Sequence, residues 1–301
     1  MCRLPDHIAE QYDVRHGDSH SFIGSKESET SVHGRIVFEL ISAYCPDATI
    51  SIYQAVTADG KLPLEAYSDA ISAAIDDGVD ILNVSAGDPW RGPIALNPNI
   101  PETKRALHEN ITVIAAAGNW KSNQENRPPI HCPAALEDVI AVGGFVSKCP
   151  AEPGNESPEN QKGPYYILQK PDFEYHEAVP DEGFCGQVGC IDGDSCIIRQ
   201  TNKEWEYNAQ PTGGKPDVVA PVHFPVETLD GNRFLRSGSS FAAPIVTGSL
   251  GCILDELNRT DRATVTPFQL RMAVIEGGAP LDGGTQVKYD AMGVRKALGL
   301  T

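Results

Sequence analysis

The chain has 301 residues, 41% of them hydrophobic, with 41 Asp and Glu against 24 Lys and Arg for a formal net charge of −17. That length and apolar content suit one large α/β domain or two small ones with a buried core. The acidic excess argues against nucleic acid and anionic membranes as partners, no apolar run of about 18 residues marks a spanning helix, and the N-terminal "MCRLPDHIAEQYDVRHGDSH" lacks the apolar core of a signal peptide.

Residues 1–32 read as polar and irregular. From His33 the pattern becomes regular, and "GRIVFELISAY" reads as a helix. "TISIYQAV" alternates and then turns at "ADG", which predicts a strand. In "PLEAYSDAISAAIDDG" the residues Leu64, Tyr67, Ile71, Ala74 and Ile75 share one helical face, and Gly78 supplies the stop. "VDILNVSAG" is a short apolar strand that ends in small residues. "PETKRALHEN" is a helix, "ITVIAAAGN" a second apolar strand, and "DVIAVGG" a third. Strands that are apolar throughout and alternate with helices predict a parallel sheet flanked by helices in three layers. In such sheets the working groups gather beyond the carboxyl ends of the strands, here "SAG" and "AAGN".

Residues 147–213 break this rhythm. The segment is polar, rich in Pro and Gly, and reads as an insertion within a single domain covering 1–301. It holds Cys149, Cys185, Cys190 and Cys196, four of the eight cysteines. Disulfides or a zinc site would each brace a segment with so small a core. The spacings from Cys185 to Cys190 and to Cys196 are wider than paired zinc ligands usually show, which favours disulfides. Cys45, Cys132 and Cys252 stand in apolar contexts and read as buried free thiols. After the insertion the pattern resumes with "KPDVVAPV", a hairpin around Asp230–Asn232, the apolar helix after "SGSSFAAP", and a capped helix in "TPFQLRMAVIEGGAP".

The serines before that apolar helix read two ways. A hydroxyl there caps the helix. It can also be a nucleophile, because the free N–H groups and the dipole of a helix N-terminus favour developing negative charge. A nucleophile needs a base and a group to hold the oxyanion. All eight histidines precede Ser240, which excludes the order serine, acid, histidine of the α/β-hydrolases. His33, in "SVHGRIV", suits the base, or is a surface or cap residue. Asn119, ending an apolar strand after Gly118, suits the oxyanion donor, or is a turn asparagine.

Together these segments resemble the subtilisin-like serine proteases. "VHGRIV" is similar to the family's histidine motif, "DILNVSAG" to its substrate-binding strand, "ITVIAAAGN" to the strand carrying the oxyanion asparagine, and "SGSSFAAP" to its serine motif. "HCPAALEDVIAVGG" and "GKPDVVAPV" are similar to two of its sheet segments. The resemblance spans about residues 33–146 and 214–257. It implies a serine endopeptidase acting on polypeptides, with Ser240 as nucleophile, His33 as base and Asn119 on the oxyanion. Substrate would lie along Ser85, Ala86 and Gly87, and its first side chain would enter a pocket formed by Ala115, Ala116, Ala117 and Gly118. Those small residues suggest room for a large side chain. No cofactor is required for the chemistry. Relatives often bind structural calcium, but no ligand set is assignable here. A secreted location is what the family would suggest.

Two features depart from the family pattern. Gly34-Arg35-Ile36 follows the histidine where Gly-Thr-His is usual. The family's orienting aspartate ends a central apolar strand, and no such strand precedes His33. Asp6, Asp13 and Asp18 all stand in polar surroundings, and "LPDHIAEQYDV" resembles the loop that follows the aspartate strand. The expectation is that this acid lies upstream of Met1. Loss of the acid costs on the order of 10⁴ in turnover in enzymes of this kind, so the chain as given is expected to be weakly active or inactive. The alternative is a non-catalytic remnant of the fold that binds peptide or serves a structural role.

Overall fold

The computed structural model describes residues 8–13, 18–19, 29–55, 63–88, 90, 94–118, 130–147, 165–166, 176–177, 215–221, 223–227, 233–259, 265–280 and 287–300. Its centre is a sheet in which β4 (Ile81–Val84), β5 (Thr112–Ala116), β6 (Ile140–Ser147) and β9 (Val218–Pro221) lie parallel side by side. Beyond β9 stand β13 (Val287–Lys288), also parallel, and β12 (Ala279–Pro280), antiparallel. Every residue of β5 is buried. This is why its sequence runs apolar without alternation: a strand covered on both faces needs apolar side chains on both.

Helices supply the two covers. On one face lies α4 (Ser239–Arg259), whose Ala242, Ala243, Val246, Leu250 and Ile253 pack with Ile114, Ile140, Val142 and Val218. On the other, α2 (Leu64–Asp76) and α3 (Ile100–His108) bring Tyr67, Ile71 and Ala106 against Val113, Ala115, Val139 and Ala141. The three-layer α/β arrangement expected from the alternating pattern is therefore the one observed. α4 is long and apolar enough, by length and composition alone, to cross a membrane, a property that counting unbroken apolar runs misses. The relevant stretch is 72% buried inside the fold, as befits the sheet's core helix. α5 (Pro267–Glu276) starts at a capping box in which Thr266 Oγ1 accepts from the Gln269 N–H. It packs beside α6 (Ala291–Ala297) at the β13 edge.

A buried ionic group locks these layers. Asp217, just before β9, accepts from Lys215 Nζ at 2.6 Å, from Arg271 Nη2 of α5 at 2.6 Å, and from the Ala141 N–H of β6 at 2.8 Å. Lys215 Nζ also donates to the Val139 carbonyl. All three charged residues are buried. Burial lowers the Lys215 ammonium to about 8 from its ordinary 10.5, against the opposing pull of Asp217.

Six of the remaining strands form two smaller sheets, and the seventh joins the central one. β1 (Ile8–Asp13) pairs in parallel with β3 (Ile50–Gln54) and antiparallel with β2 (Asp18–Ser19). This corrects the irregular reading of residues 1–32: the main-chain ladder to β3 makes a strand of a sequence with few apolar side chains. β10 (His223–Glu227) and β11 (Arg233–Ser237) form the expected hairpin, with β8 (His176–Glu177) on β11. β7 (Tyr165–Tyr166) pairs with β6. Apart from β7 and β8, residues 148–213 lie outside the described residues, and with them Cys149, Cys185, Cys190 and Cys196. Cys45 and Cys132 are buried as expected, but Cys252 is exposed, with its sulfur at the end of α1.

Among the described residues β3 pairs only with β1 within its sheet, and β4 only with β5. The two strands are joined through α2, yet no ladder runs between them. β4 is half-buried up to Val84, whereas β5 is fully buried.

Candidate active site

Three segments meet at the carboxyl edge of the central sheet. The first is the start of α4. Ser240 is its second residue and is 5% exposed, and its Oγ has no hydrogen-bond partner among the described residues. Pro244 stands inside the helix and has no N–H to donate to the carbonyl four residues back, so the Ser240 carbonyl lacks its usual helical donor. The adjacent Ser239 does different work. Its Oγ accepts from the Gly118 N–H at 3.2 Å and donates to the Gly118 carbonyl at 3.1 Å. The two serines divide the roles that the sequence left open: Ser239 is held by main-chain bonds, and Ser240 keeps its hydroxyl unengaged.

The second segment is α1 (Glu29–Tyr44). It begins four residues before His33, so the histidine lies within the helix rather than at its opening. The His33 ring packs on Phe241, the residue after Ser240, with centroids 5.1 Å apart and planes tilted by 43°. Phe241 is fully buried and shares a small apolar cluster with Ile36, Val37 and Leu40 of the same helix. The imidazole and the serine hydroxyl are thus carried by neighbouring helices that touch at their N-terminal ends.

The third segment is the pair of strand ends. Ser85, Ala86 and Gly87 follow β4 and are half-buried. Ala115 and Ala116 end β5, Ala117 and Gly118 follow, and the three alanines are buried. Val84 pairs with Ala115, so the two ends lie side by side. Asn83 braces the first of them: its amide donates to Ser85 Oγ at 2.9 Å, and its carbonyl accepts from Thr247 Oγ1 of α4 at 2.9 Å. Asn119 lies outside the described residues. Gly118, immediately before it, has φ +102°, a conformation that side chains rarely adopt.

One residue between these strand ends was missed from the sequence. His131 donates its main-chain N–H to the Ala117 carbonyl at 3.0 Å, and its ring lies between Gly87 and Gly118. A Cβ placed on Gly118 would meet ring atoms at 2.5 Å, and one on Gly87 would meet His131 Cβ at 2.7 Å. An imidazole therefore stands between the two glycines that border the expected slot. Burial lowers the His131 pKa to about 4 from 6.5, only partly opposed by Asp88, so the ring is neutral at ordinary pH. The one legible signal was a histidine two positions before a proline, in a segment otherwise read as sheet. Among the described residues no group of three or more His, Cys, Asp or Glu is arranged to hold a metal ion.

Comparison with known proteins finds relatives of this chain in sequence and in fold. The "Intracellular serine protease" of Paenibacillus polymyxa is 22% identical over 277 residues, covering 90% of this chain and 62% of that protein. The "Major intracellular serine protease" of Bacillus subtilis (strain 168) is 30% identical over 108 residues, covering 34% of this chain and 31% of that protein. The matched region thus spans less than two thirds of either relative. In structure the chain is similar to fervidolysin from Fervidobacterium pennivorans, a keratinolytic enzyme related to subtilisin, with a TM-score of 0.60 at 15% identity over 96% of this chain and 39% of that one. The fold is shared even where little sequence is. The family model for subtilases, Peptidase_S8, matches residues 16–287, which takes in His33, both strand ends and Ser240, and the chain belongs to the subtilase family.

Proposed function

We propose that the chain is a serine endopeptidase in which Ser240 attacks the peptide carbonyl and His33 takes and returns the proton. The Ser240 N–H and the Asn119 side-chain amide hold the oxyanion, and the chemistry requires no cofactor. The observation that carries this reading is the contact of the His33 ring with Phe241, one residue from a buried serine hydroxyl that has no partner among the described residues. Nucleophilic catalysis requires the base to come within hydrogen-bond reach of that hydroxyl, and the contact with Phe241 brings the imidazole to the neighbouring residue.

The polypeptide substrate lies extended along Ser85, Ala86 and Gly87. Its first side chain enters between that segment and Ala115–Gly118, where the His131 ring leaves room only for a small side chain. The orienting carboxylate belongs on a strand paired between β3 and β4, whose edges carry no ladder to each other among the described residues. Those same edges favour a second reading, a catalytically silent protein that keeps the fold.

A fluorophosphonate probe separates the two, because it bonds only to an activated serine. The peptidase reading expects covalent labelling at Ser240 that is lost in Ser240→Ala and strongly reduced in His33→Ala. Absence of labelling in the folded chain would favour the silent protein.

A further inference from the structure

We propose that Cys45 and Cys252 form a disulfide that ties the helix carrying His33 to the helix carrying Ser240. The two cysteines are 207 positions apart in the chain, and their sulfurs stand 2.9 Å from each other. Closing that gap to a bond of about 2.05 Å asks for a movement of roughly 0.9 Å, within the reach of a side-chain rotation. The Cys252 thiol also donates to the Tyr44 carbonyl at 3.3 Å, which holds it over the end of α1.

The backbone is built for this approach. Cys45 follows α1 directly, and its N–H donates to the Ile41 carbonyl at 2.9 Å, so it continues the helical turn. Gly248 lies one turn before Cys252 on the same face of α4. A Cβ on Gly248 would meet the Ile41 carbonyl oxygen at 2.7 Å and Tyr44 Cβ at 2.8 Å, and one on Gly251 would lie 3.5 Å from Cys45 Sγ. Only glycine at 248 lets the end of α1 seat against α4. The positions match along both helices. Cys45 comes twelve residues after His33, and Cys252 twelve after Ser240. At about 1.5 Å per residue each cysteine lies some 18 Å along its helix from the candidate catalytic residue. α1 and α4 therefore run side by side in one direction, in contact at His33 and Phe241 at one end and at the two sulfurs at the other.

The exposures assign the order of reaction. Cys252 is exposed and Cys45 buried. Burial, helped by Cys252 and the carboxylates of Asp255 and Asp47, pushes the Cys45 thiol up to about 12. The co-reactant is a small-molecule disulfide such as oxidised glutathione. The Cys252 thiolate attacks one of its sulfurs, forms a mixed disulfide and expels one small thiolate. Cys45, giving up its proton, then attacks the Cys252 sulfur, forms the Cys45–Cys252 bond and expels the second. Two protein thiols lose two electrons, and one small disulfide becomes two thiols.

The test uses the whole chain incubated with oxidised glutathione, then alkylated, digested and mapped by mass spectrometry. A crosslinked peptide pair containing Cys45 and Cys252 is expected. Closing so long a loop raises Tm by roughly 5 to 15 °C relative to the reduced chain, and Cys252→Ser and Cys45→Ser each lose that part of the rise. The mapping distinguishes this bond from any among Cys149, Cys185, Cys190 and Cys196, and it is read on the unsubstituted chain, so it does not depend on a variant folding. Cys252 found only as its glutathione adduct or as an alkylated thiol, with Cys45 unpaired, would overturn the proposal. A crosslink that leaves Tm unchanged would overturn the claim that it ties the two helices.

Discussion

Replacing His131 by glycine is the sharpest test of how this site selects substrate. The ring now lies against both glycines that border the slot, near enough that a Cβ on Gly118 would stand 2.5 Å from it. A substrate side chain entering there competes with the imidazole for the same space. Removing the ring opens a volume about as large as the side chain removed. Burying a Leu or Phe side chain in such a space contributes about 1.5–3 kcal/mol, which corresponds to a gain of roughly 10- to 100-fold in kcat/KM. A substrate with alanine before the cleaved bond gains nothing, so the Phe-to-Ala ratio should rise by that factor in His131→Gly. The assay compares kcat/KM for peptides differing only at that residue. Where turnover is slow, it compares the second-order rates at which matched peptidyl phosphonates modify Ser240. Two results would refute the reasoning: an unsubstituted chain that prefers Phe to Ala, or a ratio unmoved in a variant that melts within a few degrees of it.

Two further outcomes follow from buried charge. Asp217→Ala leaves the Lys215 ammonium and the Arg271 guanidinium without their shared carboxylate, and the Ala141 N–H without its acceptor. The loss should be about 3–5 kcal/mol, or a fall in Tm of roughly 10 °C; a shift under about 2 °C would show that the group is not structural. The neutral, half-buried His131 makes stability fall in acid. Its folded pKa of about 4 lies below the ordinary 6.5. Between those values the unfolded chain takes up a proton that the folded chain does not. Stability is then full above about pH 6.5 and declines toward pH 4, by up to about 3 kcal/mol. His131→Gln removes that part of the slope, and urea melts of the two proteins at several pH values with parallel profiles would count against the assignment.

Much of this was legible because the signals are local. The apolar runs of β5, β6 and β9 report strands covered on both faces, and "SGSSFAAP" and "ITVIAAAGN" report a helix start and a strand end within a few residues each. Ser240 stands in the first turn of α4 and Gly118 just after β5, while His33 arrives from inside α1 and meets α4 through Phe241. What was not legible depends on distant partners. β1 has too few apolar residues to announce itself and exists through its ladder to β3. Composition suggested an open slot over Ala115–Ala117 and gave no sign that the His131 ring would stand between Gly87 and Gly118, with its N–H bonded to the Ala117 carbonyl. Cys252 stands in an apolar stretch of sequence, yet it is exposed at the end of α1, a placement that only the packing of α1 on α4 decides.

The orienting acid is the clearest case of that second kind. A carboxylate can steady His33 only if a strand delivers it to the carboxyl edge of the sheet, since the imidazole reaches that edge from α1 and Ser240 reaches it from α4. Asp13 does end a parallel strand, but β1 is flanked by β2 and β3, with Asp13 opposite Asp18 and Gln54, and among the described residues it makes no ladder to β4. The position closer to the centre is the one between β3 and β4. Both flanking strands are parallel members of their sheets, and α2 leads from one to the other. A crossover helix joining two strands that do not pair is the usual geometry when one strand lies between them. The half-buried state of β4 beside a fully buried β5 fits the same position. The catalytic reading thus turns on main-chain pairing at β3 and β4, because that pairing decides where a carboxylate can stand.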